Sequence, residues 1–313
     1  MSRIHEALKK AEEERAKFLK QEPEAPAVAE NGEAAAMPVM GLDEGMAAAV
    51  QSVPPRVLGR GLSFEELVTR CQAADWKPDA ERLVFLNHIN SHAPGQEEFR
   101  TLRSRLYQIR QKQRLQTVLV TSALPGEGKS FVASNLAGVI ARQQGRRALL
   151  VDADLRRSHL HVVLGTPVSP GLTEYLRGEA AEDAVIQRGP IDNLFFLPGG
   201  SHVANPAELI ANGRLKTLLQ NVAEAFDWII LDSSPAVLVS DASVIADVCD
   251  GVLLVLKSAV TPLDMARKAR QEFHNKPLLG VVLNQVETHA TYGSYYHYGR
   301  PGKHGAEQGR SKP

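Results

Sequence analysis

The sequence predicts an α/β fold, a mostly parallel sheet with helices on both faces, and two observations carry that prediction. Six apolar runs of strand length recur along the chain: TVLVTS (117–122), ALLVD (148–152), LFFLP (194–198), WIILD (228–232), GVLLVLK (251–257) and LLGVVLN (278–284). Such near-continuous Val/Leu/Ile runs, without strict alternation, suit strands covered on both faces. Between them lie segments with helical spacing at 129–143, 206–225, 240–248 and 262–275, and strands alternating with helices build a parallel sheet. Sheets of this kind bind ligands at the carboxyl ends of their strands. The polar residues that follow each run are therefore the ones to weigh.

The 313 residues leave room for one large domain and flanking segments. Residues 1–20 read as a short, heavily charged helix with a thin apolar stripe at Ile4, Leu8, Ala11 and Phe18. Residues 21–57 are rich in Ala, Pro, Glu and Gly, lack periodicity, and read as a disordered linker. Residues 58–93 carry a helical pattern around Phe64–Cys71 and no assignable role. The main domain spans 94–288, opening on EEFRTLRSRLYQIRQKQ with Phe99, Leu102, Leu106 and Ile109 on one helical face. A flexible, Tyr-rich tail covers 289–313.

Lys and Arg number 36, as do Asp and Glu. A balanced charge leaves no footprint for nucleic acid, so none is expected as a partner. Cys71 and Cys249 stand far apart without metal-ligand spacing, which points to free thiols in a reducing compartment. The first twenty residues hold no apolar signal region and no apolar stretch approaches the length of a membrane span. A cytoplasmic protein that meets a membrane through a partner is the expectation.

The run 117–122 leads into ALPGEGKS (Ala123–Ser130) and then a helical segment. This is nearly the phosphate-binding P-loop GxxxxGK[ST], with Ala123 at the first glycine position. Gly126 and Gly128 let the backbone curl so that consecutive N–H groups face phosphate oxygens. The helix starting near Lys129 adds its positive end. Lys129 then supplies a charge to the β- and γ-phosphates of ATP, and the Ser130 hydroxyl can ligate Mg2+. A glycine-rich turn that merely joins strand to helix is the bland alternative, and strand, GKS and helix in sequence argue against it.

Two acidic motifs extend the site. LLVDADLR (149–156) places Asp152 and Asp154 after a strand, one βαβ unit on; IILDSSP (229–235) places Asp232 in the manner of a Walker B acid near Mg2+. Each Asp alone could be a helix N-cap. His159 and His161 read as surface residues, not metal ligands.

With these motifs in order, residues 94–300 resemble the bacterial tyrosine autokinases of exopolysaccharide synthesis, on a P-loop NTPase fold of the deviant Walker, Min/Par-like class. TSALPGEGKS, VDADLR and LDSSP carry the resemblance; GLTEYL (171–176), NPAELI (205–210), SDA (240–242), DGVLLVL (250–256) and LGVVLNQV (279–286) match the segments between. It implies that Gly126, Glu127, Gly128, Lys129, Ser130, Phe131 and Asn284 contact the nucleotide, Asn284 at the adenine. Ser130, Asp154 and Asp232 would hold Mg2+, and Asp152 would accept the tyrosine proton. Glu97, Arg100 and Arg103 match an ExxRxxR pattern that mediates ring contacts in that family, so a homo-oligomeric ring is expected. Tyr292, Tyr295, Tyr296 and Tyr298, four of the six tyrosines in the chain, would be the autophosphorylation sites.

The chain departs from the family at Ser234, where many members have Pro, while Asp232 and Pro235 persist. It resembles the split form, which works with a separate transmembrane adaptor of the polysaccharide co-polymerase type. Two alternatives stand beside the kinase: a Min/Par-type ATPase switch, and a nucleotide-dependent scaffold of an export complex. Members of the Min/Par group usually carry an extra early lysine in the loop, and Thr121, Ser122 and Ala123 offer none.

Overall fold

The structure is a computed structural model that describes residues 61–86 and 95–287. The segment 1–20, the linker 21–57 and the tail 289–313 with its four tyrosines lie outside the described residues. The described chain opens with helix α1 (Phe64–Arg70), the short strand β1 (Gln72–Ala73) and a 3-10 turn at Val84–Leu86. Helix α2 (Gln96–Arg110) follows, then β2 (Thr117–Ser122), α3 (Lys129–Ala141), β3 (Ala148–Asp152), α4 (Leu160–Leu164), α5 (Leu172–Arg177) and α6 (Glu182–Val185). The rest comprises β4 (Gln187–Arg188), β5 (Leu194–Leu197), α7 (Pro206–Ala211), α8 (Arg214–Val222), β6 (Trp228–Asp232), α9 (Asp241–Ala246), β7 (Gly251–Lys257), α10 (Leu263–Glu272) and β8 (Leu278–Asn284).

All six apolar runs form strands of one eight-stranded sheet, in the order β1-β4-β5-β3-β6-β2-β7-β8. From β5 through β8 every neighbouring pair is parallel, and β4 runs antiparallel to β5. Helices cover both faces. Leu67, Leu172, Leu218 and Ile245 meet Leu119, Leu149 and Leu231 on one; Phe99, Leu106, Leu136 and Leu160 meet Val118, Leu150 and Ile230 on the other. Strands β2, β3, β5 and β6 are buried at every position, as their unbroken apolar runs require. β8 differs because it lies at the sheet edge: Val281 and Leu283 are 49% and 61% exposed.

Residues 61–86 are built into this sheet. Helix α1 starts on a capping box, with Ser63 Oγ accepting from Glu66 N at 3.2 Å and Glu66 Oε2 from Ser63 N at 3.0 Å. β1 extends the sheet beside β4. Leu67, Trp76, Leu83 and Phe85 are all buried. The helix expected over 206–225 is instead two, because the chain turns at Gly213, whose φ of 85° lies in the left-handed region.

Gly138 in α3 is a point of close approach between residues 61–86 and the P-loop helix. A Cβ there would sit 2.3 Å from the Phe85 ring. Gly138→Ala gains about 1 kcal/mol of helix propensity, but overpacking costs about 1–3 kcal/mol. The net expected effect is destabilisation, measured as a lower urea midpoint, and Phe85→Leu in the same chain should recover part of it.

Candidate active site

The sheet brings the three motifs together. β2 lies between β6 and β7 and feeds the loop that opens α3. In register, Val120 pairs with Asp232 and Asp152 with Asp232, so both acids end their strands at the same level beside the loop. Gly126 and Gly128 have φ of 80° and 94°, a conformation that a Cβ penalises, and this turns the loop amides inward. At Gly128 a Cβ would also lie 2.0 Å from Asn284 Nδ2.

The Glu127 side chain is held by donors of the protein itself. Its carboxylate is buried and accepts from Leu124 N at 2.8 Å and from the Thr261 hydroxyl. Thr261 Oγ1 in turn accepts from Lys257 N at 3.0 Å. Asn284, at the end of β8, donates from Nδ2 to the Glu127 carbonyl at 2.9 Å. The Glu127 side chain thus braces the loop against the β7–α10 connection; a carboxylate turned toward phosphates would repel them, whereas here it meets N–H and O–H donors. The Phe131 ring packs edge-on against Phe99 of α2, with centroids 5.7 Å apart.

Lys129 is the cationic centre. Its Nζ lies 2.9 Å from Asp154 Oδ2 and 3.3 Å from Ser130 Oγ. Burial works against the ammonium, yet the charges of Asp232, Asp154 and Asp152 outweigh it and hold its pKa above the ordinary lysine value. Asp154 Oδ1 accepts from Arg157 N at 3.1 Å, which fixes the turn after β3.

Asp152 and Asp232 are both buried acids, held by different neighbours. Asp152 Oδ2 accepts from Ser158 Oγ at 2.8 Å and from His159 N and Leu160 N, each at 3.1 Å, capping the start of α4. Burial pushes its pKa up to about 6 against those bonds. Burial also drives Asp232 up to about 7, opposed by the Lys129 charge and by the Ser130 hydroxyl. Oδ1 of each acid is buried and has no hydrogen-bond partner among the described residues.

The orphaned Asp232 Oδ1, at a strand end beside the Ser130 hydroxyl, fits a hard divalent cation such as Mg2+. Among the described residues no group of three or more His, Cys, Asp or Glu side chains makes a ready metal cage. Mg2+ commonly takes one or two protein ligands and completes its shell with phosphate oxygens and water.

The remaining expected site residues separate. On α2, Arg100 Nη1 pairs with Glu97 Oε2 at 3.0 Å on the exposed face. Arg103 turns inward, and its Nη1 donates to the Val139 carbonyl of α3 at 2.7 Å. His159 Nε2 lies 3.0 Å from Arg82 Nη1. Sequence reasoning missed Thr261 and Ser158, which no motif marks, and Asp241, which the SDA segment contains without a role. For residues 61–86 the signal was present: Ser63 followed three residues on by Glu66 is a capping-box signature.

Fold and site together define a P-loop nucleotide-binding protein. Residues 116–264 match the family model described as an AAA domain. The tyrosine-protein kinase YwqD of Bacillus subtilis is 36% identical over 203 residues, 64% of this chain and 85% of that one. The putative tyrosine-protein kinase EpsB of Ralstonia nicotianae is 34% identical over 210 residues, 66% of this chain but 28% of that longer one. Among solved structures, the kinase domain of the Escherichia coli tyrosine kinase ETK is 29% identical, with a TM-score of 0.63 over 73% of this chain and 95% of that domain. The chain belongs to the bacterial tyrosine-protein kinase family. Kinship with named kinases disfavours the Min/Par-type switch and the passive scaffold.

Proposed function

We propose that this protein is an ATP-dependent protein-tyrosine autokinase that regulates exopolysaccharide synthesis or export. The observation that carries the reading is the convergence of Lys129, Ser130, Asp152, Asp154 and Asp232 at one end of the sheet, in a chain of this family. The reaction moves the γ-phosphoryl group of ATP to a tyrosine oxygen, breaking the bond to the β-phosphate oxygen and releasing ADP and the phenolic proton. Lys129 and the loop amides hold the phosphates in place. Ser130, Asp232 and Asp154 would hold Mg2+, which when bound neutralises charge on the phosphate oxygens. Oδ1 of Asp152, its other oxygen being tied to α4, accepts the phenolic proton. Asn284 stands beside the loop and contacts the adenine once nucleotide enters.

The acceptor tyrosines are Tyr292, Tyr295, Tyr296 and Tyr298, presented by one subunit to its neighbour in a ring joined through Glu97, Arg100 and Arg103. An exposed pair such as Glu97 and Arg100 is free to exchange partners across a subunit boundary, which supports that part of the reading. A separate transmembrane adaptor recruits the protein to the inner face of the membrane, and no helix among the described residues is long and apolar enough to cross one. Val260, Leu263, Leu283 and Val286 are exposed and lie close in sequence to Thr261 and Asn284, which bond to Glu127 of the loop; they offer apolar side chains to the adaptor's cytoplasmic segment. The test is mass spectrometry of the purified protein incubated with ATP and Mg2+. Phosphotyrosine at positions 292–298 is expected, stimulated by the adaptor segment; ATP hydrolysis without any phosphotyrosine would overturn the reading.

The raised acids predict a pH dependence. Asp232 and Asp152 have folded pKa values above the usual carboxylate value, so between about pH 4 and 7 the folded state binds more protons than the unfolded one. Their contribution to ligand-free stability therefore falls as pH rises through that window. Mg2+ needs Asp232 ionised, and below pH 7 protons compete with it. The gain in melting temperature from Mg2+ and ADP is expected to be larger at pH 8 than at pH 6. Equal gains at both pH values would contradict the assignment.

A further inference from the structure

The last backbone tie between the two acid-bearing segments is Ala153 N to Asp232 O, at 2.8 Å. Beyond it the sheet ladder ends, and side chains must set the spacing of the loop carrying Asp154 and the loop following Asp232. A side-chain link spans both. Arg156, two residues after Asp154, donates from Nε to Asp241 Oδ2 at 2.6 Å and from Nη2 to Asp241 Oδ1 at 3.0 Å. Ser234, two residues after Asp232, donates from Oγ to the same Asp241 Oδ2 at 3.4 Å.

Asp241 is the fixed end of this link. It is the first residue of α9, is 1% exposed, and is followed by the core residues Ala242 and Ile245. The Arg156 side chain, 39% exposed, reaches in from the rim. We propose that Arg156 and Asp241 form a positioning pair that holds the loop bearing Asp154 and the loop following Asp232 at the separation the Mg2+-nucleotide requires. The proposal rests on the reading of the site as a nucleotide site. A planar guanidinium fork meeting both oxygens of one carboxylate fixes direction as well as distance, which an ammonium does not. Groups that orient metal ligands typically matter by about 10–100-fold in affinity or rate.

The experiment uses Arg156→Lys and Asp241→Asn, which keep charge or shape, and their combination. Two quantities are read: the ADP dissociation constant with and without Mg2+, and kcat and KM for autophosphorylation. In each variant the Mg2+ concentration for half-maximal ADP binding is expected to rise about tenfold or more and kcat to fall by a like factor. ADP affinity without Mg2+ should stay within about twofold, because the P-loop contacts are untouched. The double variant should be no worse than the poorer single one, since the two residues act as a unit. Circular dichroism accompanies each; should Asp241→Asn fail to fold, Arg156→Lys carries the test alone. A folded Arg156→Lys with wild-type kcat and Mg2+ dependence, or losses that are equal with and without Mg2+, would overturn the proposal. Failure of the nucleotide-site reading looks different: wild-type protein would bind ADP no better than Lys129→Ala.

Discussion

Lys129→Ala is expected to abolish phosphotyrosine formation, lowering the rate by about 100- to 1,000-fold or more, the scale set by removing one preorganised charge from a phosphate site. Lys129 Nζ sits 2.9 Å from Asp154 and offsets the charges of three acids. Removing it takes away the charge that would meet the β- and γ-phosphates. It also leaves Asp232 and Asp152 without the counter-charge they share, so both should protonate more readily still. The variant therefore stays folded by taking up protons rather than burying unpaired charge. Its stability deficit relative to wild type should be larger at pH 8 than at pH 6, because the acids are held ionised at the higher value. Mass spectrometry of the tail tyrosines and thermal unfolding at both pH values read the two effects. A folded Lys129→Ala protein that phosphorylates itself at the normal rate would remove the basis for the site.

Asp152→Asn is expected to cost about 100-fold or more in kcat, within the range for a lost general base, with ADP affinity changed only a few-fold. The argument lies in the division of labour between its two oxygens. Oδ2 receives Ser158 Oγ and the His159 and Leu160 amides, and an asparagine carbonyl oxygen can receive the same three. Oδ1, buried and without a partner among the described residues, becomes an amide nitrogen that cannot take a proton. The loop is kept while the proton acceptor is lost. Single-turnover phosphorylation at saturating ATP isolates the chemical step. A rate within about threefold of wild type would mean that positioning alone drives the transfer, as phosphoryl-transfer chemistry permits, and would remove Asp152 from the role of base.

Much of the fold is written in local pattern. The six strands and most of their boundaries follow from apolar runs, because strands covered on both faces need little polar surface. The P-loop is equally local: Gly126 and Gly128 adopt positive φ that other residues resist, and Lys129 and Ser130 follow in fixed order. Asp152 and Asp232 could be placed because each ends such a run, and parallel pairing with a shared register sets them side by side. Boundaries failed where one residue changes the backbone, as at Gly213 between α7 and α8.

The orientation of side chains required contacts that no local pattern holds. Glu127 belongs to the loop motif, yet its carboxylate turns to Thr261, 134 residues further on. Arg103 sits in the same helical spacing as Arg100, but the packing of α2 against α3 brings it to the Val139 carbonyl while Arg100 stays with Glu97 at the surface. β8 has the apolar composition of an interior strand and lies at the edge, since strand order depends on how the crossovers wind. Asp241 meets Arg156 across 85 residues of sequence because β3 and β6 are neighbours, a consequence of topology. Backbone conformation and hydrophobic periodicity are properties of short stretches and are legible there; the partner of a buried charge is chosen by whichever element the folded sheet brings within about 3 Å, the reach of a hydrogen bond.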